Sequence, residues 1–325
     1  MTYCSRRSFN IACAAALAAP FSATGQTAYP SRTIRFISPA PPGGLSDLIP
    51  RTIANELAKS MNTQVVVENR GGAGGSIATA ALTRLPADGY SLLLGTGGMM
   101  SLTPFFLPNL PFDAKKDFEG LALLAYSPLY LTVRSDSPYR SFDELVAAAK
   151  SSPGQLAYGH LGNGSTAAVV GAMLAKSKGL DLIDVPYAGY APVATEVLGG
   201  RLAFSFLDSS FLSRIEQGSL RALAVTTAAR TPRLKNVPSL KELGVDVDLG
   251  LWFGVFVRAG TATDVSAKLR NELQRATSSA AFQAQLQTFG LEPGTLFGSD
   301  FQAFHMKEMN RLAKILPSLG IKGLV

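Results

Sequence analysis

Apolar positions along the chain follow two spacings, one typical of strands and one typical of helices. A short apolar run at Ile34–Ser38 predicts a buried strand. In the segment after it, apolar side chains recur every four residues and predict one face of a helix: Ile49, Ile53, Leu57 and Met61. Further strands are predicted at residues 65–67, 91–94, 155–159, 183–186, 202–206 and 220–225. Strands separated by helices are typical of parallel sheets covered on both faces, so we predict an α/β fold.

Several helix boundaries carry their own signals. Ser141 and Glu144 form a capping box at the start of a predicted helix that runs through Lys150. Pro50 lacks a backbone N–H just inside the first helix and predicts a kink or a late start there. Two C-terminal helices are predicted from apolar positions at Val265, Leu269 and Leu273 and at Phe301, Phe304, Leu312 and Ile315.

The first 25 residues have the layout of a secretory signal peptide. Arg6 and Arg7 precede an apolar stretch at 11–21, which small and polar residues follow. Cleavage after Gly25 fits the small-x-small rule best, and cleavage after Ala28 is the weaker alternative. The arginine pair also resembles a twin-arginine motif, so twin-arginine and ordinary secretory export both stay open. We therefore expect the mature protein to be exported.

Composition excludes several classes of protein. The 325 residues are 47% hydrophobic and 16% charged, which predicts a globular chain of about two domains. The 30 Lys and Arg against 23 Asp and Glu give +7, spread along the chain without the runs typical of nucleic-acid-binding arms. Both cysteines, Cys4 and Cys13, fall in the signal peptide, so we expect no disulfide in the mature chain. After the signal peptide no apolar stretch reaches the roughly 18 residues of a spanning helix.

Candidate catalytic and metal-ligating residues are few. The chain has two histidines, His160 and His305, and neither has a metal-ligand partner at the usual spacing, so we predict no metal site. No Gly-x-Ser-x-Gly elbow occurs and His305 is predicted on a solvent-facing helix position, which argues against a serine hydrolase. His160, at a strand end, has either a functional role or a hydrogen bond to loop backbone. The fingerprint Gly162-x-Gly164-x-x-Ala167 matches a dinucleotide loop only loosely, so no cofactor is predicted.

Three predicted strand-to-helix junctions are rich in glycine and carry small hydroxyl side chains: residues 43–46, 95–98 and 162–166. Such loops present free backbone N–H groups and the positive end of a helix, both of which attract anions. Any one of them is equally consistent with a tight turn or a helix cap. Three together, at the carboxyl ends of predicted strands, predict a cleft for a carboxylate or a phosphate.

A set of longer motifs extends over essentially the whole mature chain. They include Pro-Pro-Gly-Gly-Leu-Ser-Asp at 41–47, Val-Glu-Asn-Arg at 67–70, Asp-Gly-Tyr-Ser-Leu-Leu-Leu-Gly-Thr at 88–96, Val-Pro-Tyr-Ala-Gly at 185–189 and Leu-Arg-Ala-Leu-Ala-Val-Thr at 220–226. In combination these motifs are specific. The sequence resembles the substrate-binding receptors of tripartite tricarboxylate transporters, the Bug or TctC-type family.

The resemblance implies a two-domain clamshell of the type II periplasmic binding class, a Venus flytrap. Domain 1 would be discontinuous, over residues 29–128 and 253–325, and domain 2 would cover 129–252. The chain crossings are expected near 129–133 and 252–257. The resemblance further implies a monomer in the periplasm that binds a small organic acid, passes it to two integral membrane permease subunits and carries out no reaction.

The resemblance also implies ligand-binding residues, carried over by position. They are Gly43, Gly44 and Asp47 in the first loop, Gly97 and Gly98 in the second, Asn163, Gly164, Ser165 and Thr166 in the third, Tyr187, Ala188 and Gly189 on the opposite side, and Asp208. Asp208 would accept a hydrogen bond from a ligand amine or hydroxyl, or else serve as a turn or capping residue.

Two departures from the family pattern bear on the ligand. Ala168-Val169 stands where many relatives have His-Leu, and Ala188 stands where Lys is common, so polar or cationic groups are missing here. Tyr190, Phe211 and Trp252 then favour a more apolar or aromatic acid, unless they belong to the core. An exported hydrolase or isomerase on the same fold, and a sensor receptor of a two-component system, stay open as other functions.

Overall fold

Two β-sheets organise the part of the chain that the structure describes. The computed structural model describes residues 29–72, 75–107, 109–162, 164–187 and 189–319. The signal peptide expected at 1–25, with both cysteines, lies outside these residues. So do Asn163 and Ala188, two of the expected ligand-binding residues.

The first sheet combines a parallel half with an antiparallel half. Its strands are β1 Ile34–Ser38, β2 Val65–Asn69, β3 Ser91–Thr96, β4 Phe118–Pro128, β10 Gly250–Arg258 and β11 Glu292–Pro293. They lie in the order β11-β4-β10-β3-β1-β2. β1 is parallel to β2 and β3, with Phe36 opposite Val67 and Leu92. β10 runs antiparallel between β3 and β4.

The second sheet has five strands and likewise a parallel part and an antiparallel part. Its strands are β5 Tyr130–Arg134, β6 Ala157–His160, β7 Ile183–Pro186, β8 Phe204–Leu207 and β9 Leu220–Val225, in the order β7-β6-β8-β5-β9. β6 is parallel to β7 and β8, and β5 is antiparallel to β8 and β9. The α/β fold predicted from the sequence is confirmed, although both sheets are mixed rather than parallel throughout.

Helices connect the parallel strands, as the apolar spacing predicts. Their bounds are α1 Leu45–Met61, α2 Ser76–Thr83, α3 Thr103–Phe106, α4 Phe142–Ser151, α5 Thr166–Lys178, α6 Tyr190–Leu198, α7 Leu212–Glu216, α8 Thr263–Thr277, α9 Ala280–Thr288 and α10 Ser299–Ser318. A π-helical turn covers Gly98–Leu102 and a 3-10 turn covers Ser209–Phe211. The predicted cap of α4 is confirmed, since Ser141 Oγ accepts from the Glu144 N–H at 3.2 Å. Within the described ranges, no helix is both long and apolar enough to cross a membrane.

The chain passes between the sheets twice. Leu129 separates β4 of the first sheet from β5 of the second, and residues 226–249 lead from β9 back to β10. The return begins and ends close to the first passage, because Gly250 pairs with Pro128. The crossing expected at 252–257 therefore lies inside β10.

Each sheet has its own buried core, and α10 contributes to both. Phe301 packs with Trp252 and Phe256 beside the first sheet. Leu312 and Leu316, farther along the same helix, are buried with the apolar side chains of the second sheet. α10 therefore lies against both cores.

Pro50 lies inside α1 and does not delay the start of that helix. α1 begins at Leu45, so the late start predicted from Pro50 is wrong. A proline cannot donate to the carbonyl four residues earlier, which here belongs to Ser46. That carbonyl instead accepts from the Ser38 hydroxyl at 2.7 Å. The hydrogen bond ties the end of β1 to the start of α1 and compensates the missing donor.

His305 is fully buried, so the prediction of a solvent-facing position is wrong. It lies four residues after Phe301 and therefore on the same, buried face of α10. Its ring packs edge-on against Trp252 and Phe256, with centroids 5.8 and 5.5 Å away. Burial lowers the pKa of His305 below its usual value and favours the neutral ring.

Candidate ligand cleft

A cleft of about 570 Å³ lies where loops from both sheets meet. The first sheet contributes the loops that follow β1 and β3, and the second contributes those that follow β6, β7 and β8. Ligand sites of α/β proteins form at the carboxyl ends of their parallel strands, and this cleft occupies that position.

Three helices begin at the cleft. Their N-cap residues are Gly44 for α1, Ser165 for α5 and Gly189 for α6, and all three line the cleft. The first N–H groups of a helix have no partner within it and carry a partial positive charge. Gly44 and Gly189 cap without a side-chain hydrogen bond. The cleft is therefore bordered by three positive helix ends.

Charged side chains contribute little positive potential to this cleft. Among its described lining residues none is Lys, Arg or His, and Asp208 is the one acidic residue. The lining residues that carry a hydroxyl group are Ser46, Thr96, Ser165, Thr166, Tyr190 and Ser210. An anion in this cleft would be held by backbone N–H groups and hydroxyls.

Three glycines of the cleft are not required by the fold. At Gly44, Gly98 and Gly189 a Cβ would meet no atom within 4 Å, and φ is outside the left-handed region. No other described glycine combines these two properties. At these three positions neither packing nor backbone conformation excludes a side chain, so the backbone there borders open space.

Apolar side chains line the rest of the cleft. They are Leu45, Leu48, Leu161, Leu251, Phe253 and Phe289. The last three come from β10 and from the end of α9, and none of the six was predicted as a site residue from the sequence. Leu251 and Phe253 flank the fully buried Trp252, and this alternation of strand residues was the available signal. The cleft therefore suits a ligand with an apolar body.

Asp208 is a buried carboxyl in the cleft wall. Its Oδ1 accepts from the backbone N–H of Ser210 at 3.1 Å and also from the Ser210 hydroxyl. Oδ2 has no hydrogen bond among the described residues. Burial, opposed by the bonds from Ser210, raises the pKa of Asp208. The capping role considered from the sequence is present, and the second oxygen is left for a ligand.

Asp47 lies behind the first loop rather than in the cleft lining. Its Oδ2 accepts from the Gly43 N–H at 2.9 Å, and its Oδ1 contacts Arg51 and Asn69, each at 2.8 Å. The Arg51 hydrogen bond is the main cause that lowers the pKa of Asp47 to about 2. Asp47 is therefore ionised at neutral pH and fixes the shape of the loop that carries Gly43 and Gly44.

The remaining expected site residues divide into two groups. Gly43, Gly44, Gly98, Ser165, Thr166, Gly189 and Asp208 lie together in the cleft lining. Gly97, Gly164 and Tyr187 do not. A Cβ on Gly97 would lie 2.8 Å from Trp252 Nε1, and one on Gly164 would lie 3.5 Å from Phe106. Of the three aromatic candidates, Trp252 and Phe211 pack in apolar clusters, and Tyr190 lines the cleft while it also packs against the cluster that contains Phe211.

His160 holds the backbone of the third loop by a hydrogen bond. Its Nδ1 accepts from the Gly162 N–H at 3.0 Å, and its Nε2 lies 3.2 Å from Asp184. These partners place the ring proton on Nε2, facing the carboxylate. The hydrogen bond to loop backbone, one of the two alternatives raised by the sequence, is confirmed. Across the described residues, no group of three or more His, Cys, Asp or Glu could hold a metal ion.

Two mixed β-sheets with connecting helices, joined by two chain crossings and with a cleft at their strand ends, define the class of two-domain periplasmic binding proteins. A solved R. palustris protein, Rpa4515 with adipate, has this fold at a TM-score of 0.81 and 30% identity, covering 91% of this chain and all of that one. MatC from Rhodopseudomonas palustris with bound malate matches at a TM-score of 0.76 and 25% identity, over 89% of this chain and 100% of that one.

Sequence comparison places the chain in one family. The model of the tripartite tricarboxylate transporter family receptor matches residues 49–321. Protein BugT of Bordetella pertussis is 31% identical over 311 residues, which is 95% of this chain and 94% of BugT. The chain belongs to the tripartite tricarboxylate transporter receptor family, as its motifs predict, and it is a solute-binding receptor of that family.

Proposed function

We propose that this protein is a periplasmic receptor that captures a small organic carboxylate and delivers it to a tripartite tricarboxylate-type membrane transporter. The observation that carries the ligand class is a pair of open glycines, Gly44 and Gly189, at two of the three helix ends that border the cleft, with a third open glycine, Gly98, in the same lining. An anion that approaches the backbone there gains hydrogen bonds and favourable helix-dipole interactions without any cationic side chain. The similar proteins solved with adipate and malate support the same class.

The apolar lining narrows the ligand further. Leu48, Leu251, Phe253 and Phe289 offer no hydrogen-bonding side chains, so the body of the acid is aliphatic or aromatic. Tyr190 adds an aromatic ring beside them. We expect one carboxylate at the helix ends and an apolar remainder against this wall.

Ligand capture would use the two domains expected from the resemblance, residues 29–128 with 253–325 and residues 129–252. Contacts made only when both domains touch the ligand favour the closed form, so closure is a shift of population. The mature protein would act as a monomer in the periplasm after loss of its signal peptide, with two integral membrane subunits as partners and without catalysing a reaction. An exported enzyme or a sensor receptor would instead consume the ligand or signal its presence.

A binding assay tests the ligand class. The mature protein is unfolded, freed of carried-over ligand, refolded and titrated by calorimetry with adipate, malate and benzoate, and each mixture is then analysed by chromatography. Binding of at least one acid, recovered unchanged, is the expected result. Consumption of the acid would support the enzyme, and no binding of any would contradict a carboxylate receptor.

Asp208 predicts a preference among acids. An acid with a hydroxyl or amine can donate to Asp208 Oδ2, whereas a plain acid brings only like charge. A hydrogen bond to a charged group contributes about 1.5–3 kcal/mol, or roughly tenfold to a hundredfold in affinity. We expect malate to bind more tightly than succinate, or 2-aminoadipate more tightly than adipate, and Asp208→Asn to remove most of the difference.

The control for Asp208→Asn is Asp136→Asn, because Asp136 carries an exposed carboxylate outside the cleft, paired with Arg134. Equal preference in the wild type and Asp208→Asn would remove Asp208 from the ligand site and leave it as a capping residue.

A further inference from the structure

Glu308 lies behind the cleft, on α10, and binds two elements at once. Its Oε2 accepts from Trp252 Nε1 at 2.5 Å and from Ser101 Oγ at 2.8 Å. Trp252 belongs to β10 and Ser101 to the π-helical turn, and both side chains are fully buried. One carboxylate oxygen therefore links three elements: α10, β10 and the π-helical turn.

Both partners of Glu308 are next to residues that line the cleft. Trp252 lies between Leu251 and Phe253, and its indole packs against Gly97 so closely that a Cβ there would be 2.8 Å from Nε1. Ser101 lies in the turn that begins at Gly98, one of the open glycines. A displacement of Trp252 or Ser101 would therefore move the cleft wall.

The need of the Trp252 indole N–H for an acceptor does not by itself explain why the side chain at position 308 is a carboxyl group. A buried indole needs one acceptor, which a neutral side chain can supply. A buried carboxylate is much more costly, because it loses its hydration. When the Glu308 carboxyl is ionised, its negative charge strengthens the hydrogen bonds that it accepts from Trp252 and from Ser101.

Glu308 has three titratable or charged neighbours whose effects bear on its protonation, besides the buried ring of His305. Burial raises the pKa of Glu308 to about 7, and the negative charge of Asp248 before β10 also raises it. The hydrogen bonds from Ser101 and Trp252 and the positive charge of Arg311 on the same helix lower it. Tyr126 of β4 has its pKa raised by burial and stays neutral. His305, also on α10, has its pKa lowered by burial.

We propose that Glu308 is a positioning residue of the ligand cleft, whose ionised carboxylate holds Trp252 and Ser101 and thereby keeps the Gly97–Gly98 segment in place for the ligand. Protonation weakens both hydrogen bonds and loosens this wall. The effect on ligand affinity rests on the proposed function, whereas the hold on Trp252 does not.

The first experiment needs no ligand, because Trp252 is the only tryptophan of the chain. Its fluorescence is followed from pH 5 to 9 in the wild type, in Glu308→Gln and in the control Glu292→Gln. Glu292 is another partly buried carboxyl with a raised pKa, but it lies on β11 without a hydrogen bond to the indole. We expect a transition centred near pH 7 in the wild type and the control, and none in Glu308→Gln. A wild type without this transition, or a Glu308→Gln that keeps it, would overturn the proposal.

The second experiment uses adipate as the probe, at pH 6 and pH 8. Between these values Glu308 passes from mostly protonated to mostly ionised, so wild-type affinity should rise threefold to tenfold. Glu308→Gln should show no such rise, and Ser101→Ala should show a smaller one. A rise that is unchanged in Glu308→Gln would overturn the positioning role. If adipate binds at neither pH, the ligand class is decided by the panel of acids described under the proposed function, and the fluorescence titration decides the role of Glu308.

Discussion

Gly44→Val is expected to lower carboxylate affinity at least a hundredfold while the protein stays folded. Gly44 has φ −94° and ψ 176°, an extended conformation that valine adopts readily. The new side chain meets no protein atom at its Cβ, so it fills the cleft instead of disturbing the core. It also covers the N-terminus of α1, where the ligand would approach. A hundredfold loss corresponds to about 2.7 kcal/mol of binding free energy.

The matched control is Ala262→Val, since Ala262 is the exposed N-cap of α8 and also caps without a side-chain hydrogen bond. Valine is a poorer N-cap than glycine and should cost α1 about 1 kcal/mol, whereas Ala262→Val exchanges one poor N-cap for another and should change stability little. Calorimetry with the best-bound acid of the panel and thermal unfolding of all three proteins would be compared. Affinity within about threefold of the wild type in a folded Gly44→Val would contradict the backbone site.

Glu308→Gln is expected to be more stable than the wild type at pH 8, and by much less at pH 5. In the folded protein burial raises the pKa of Glu308 to about 7 from the usual 4.5. The folded state therefore holds the proton more tightly, and wild-type stability falls as the pH rises from about 4.5 to 7. At about 1.36 kcal/mol per pKa unit, the full cost above pH 7 is about 3 kcal/mol.

Urea unfolding at pH 5 and pH 8 measures this effect. The difference in unfolding free energy between Glu308→Gln and the wild type should grow by about 2–3 kcal/mol between the two values. An equal difference in unfolding free energy at pH 5 and pH 8 would mean that Glu308 is hydrated enough to ionise normally. A stability cost of this kind is common where a protein maintains a functional arrangement, and it agrees with the positioning role proposed above.

The parallel strands and their helices could be predicted because their signals are local. The apolar spacing of α1 and the capping box of α4 depend on neighbours within a few residues. β4 and β10 were not predicted as strands, although Leu251 and Phe253 of β10 face the cleft on either side of the buried Trp252. The crossing expected at 252–257 came from the family resemblance, and the structure places β10 there.

The cleft could be predicted only in part, because a glycine in a sequence does not say why it is a glycine. Gly97 and Gly98 are adjacent, yet Trp252 leaves no room for a side chain at Gly97, whereas Gly98 has open space. Similarly, Asp47 was expected in the cleft, and its partner Arg51 and the Gly43 N–H hold it behind the loop. The first distinction depends on Trp252, which is distant in the sequence, and the second depends on the direction in which the Asp47 side chain turns within its own loop.

The most direct test of the account is thermal unfolding of the ligand-free mature protein with matched acids and amides: adipate against adipamide, and benzoate against benzamide. Each pair shares its apolar body and differs in charge, which isolates the anion site at the helix ends. At one hundred times its Kd a ligand adds about 2.7 kcal/mol, which raises Tm by roughly 2–4 °C or more. The account predicts a shift with at least one acid and none with its amide. Equal shifts for an acid and its amide, or shifts with neither pair, would contradict a carboxylate receptor.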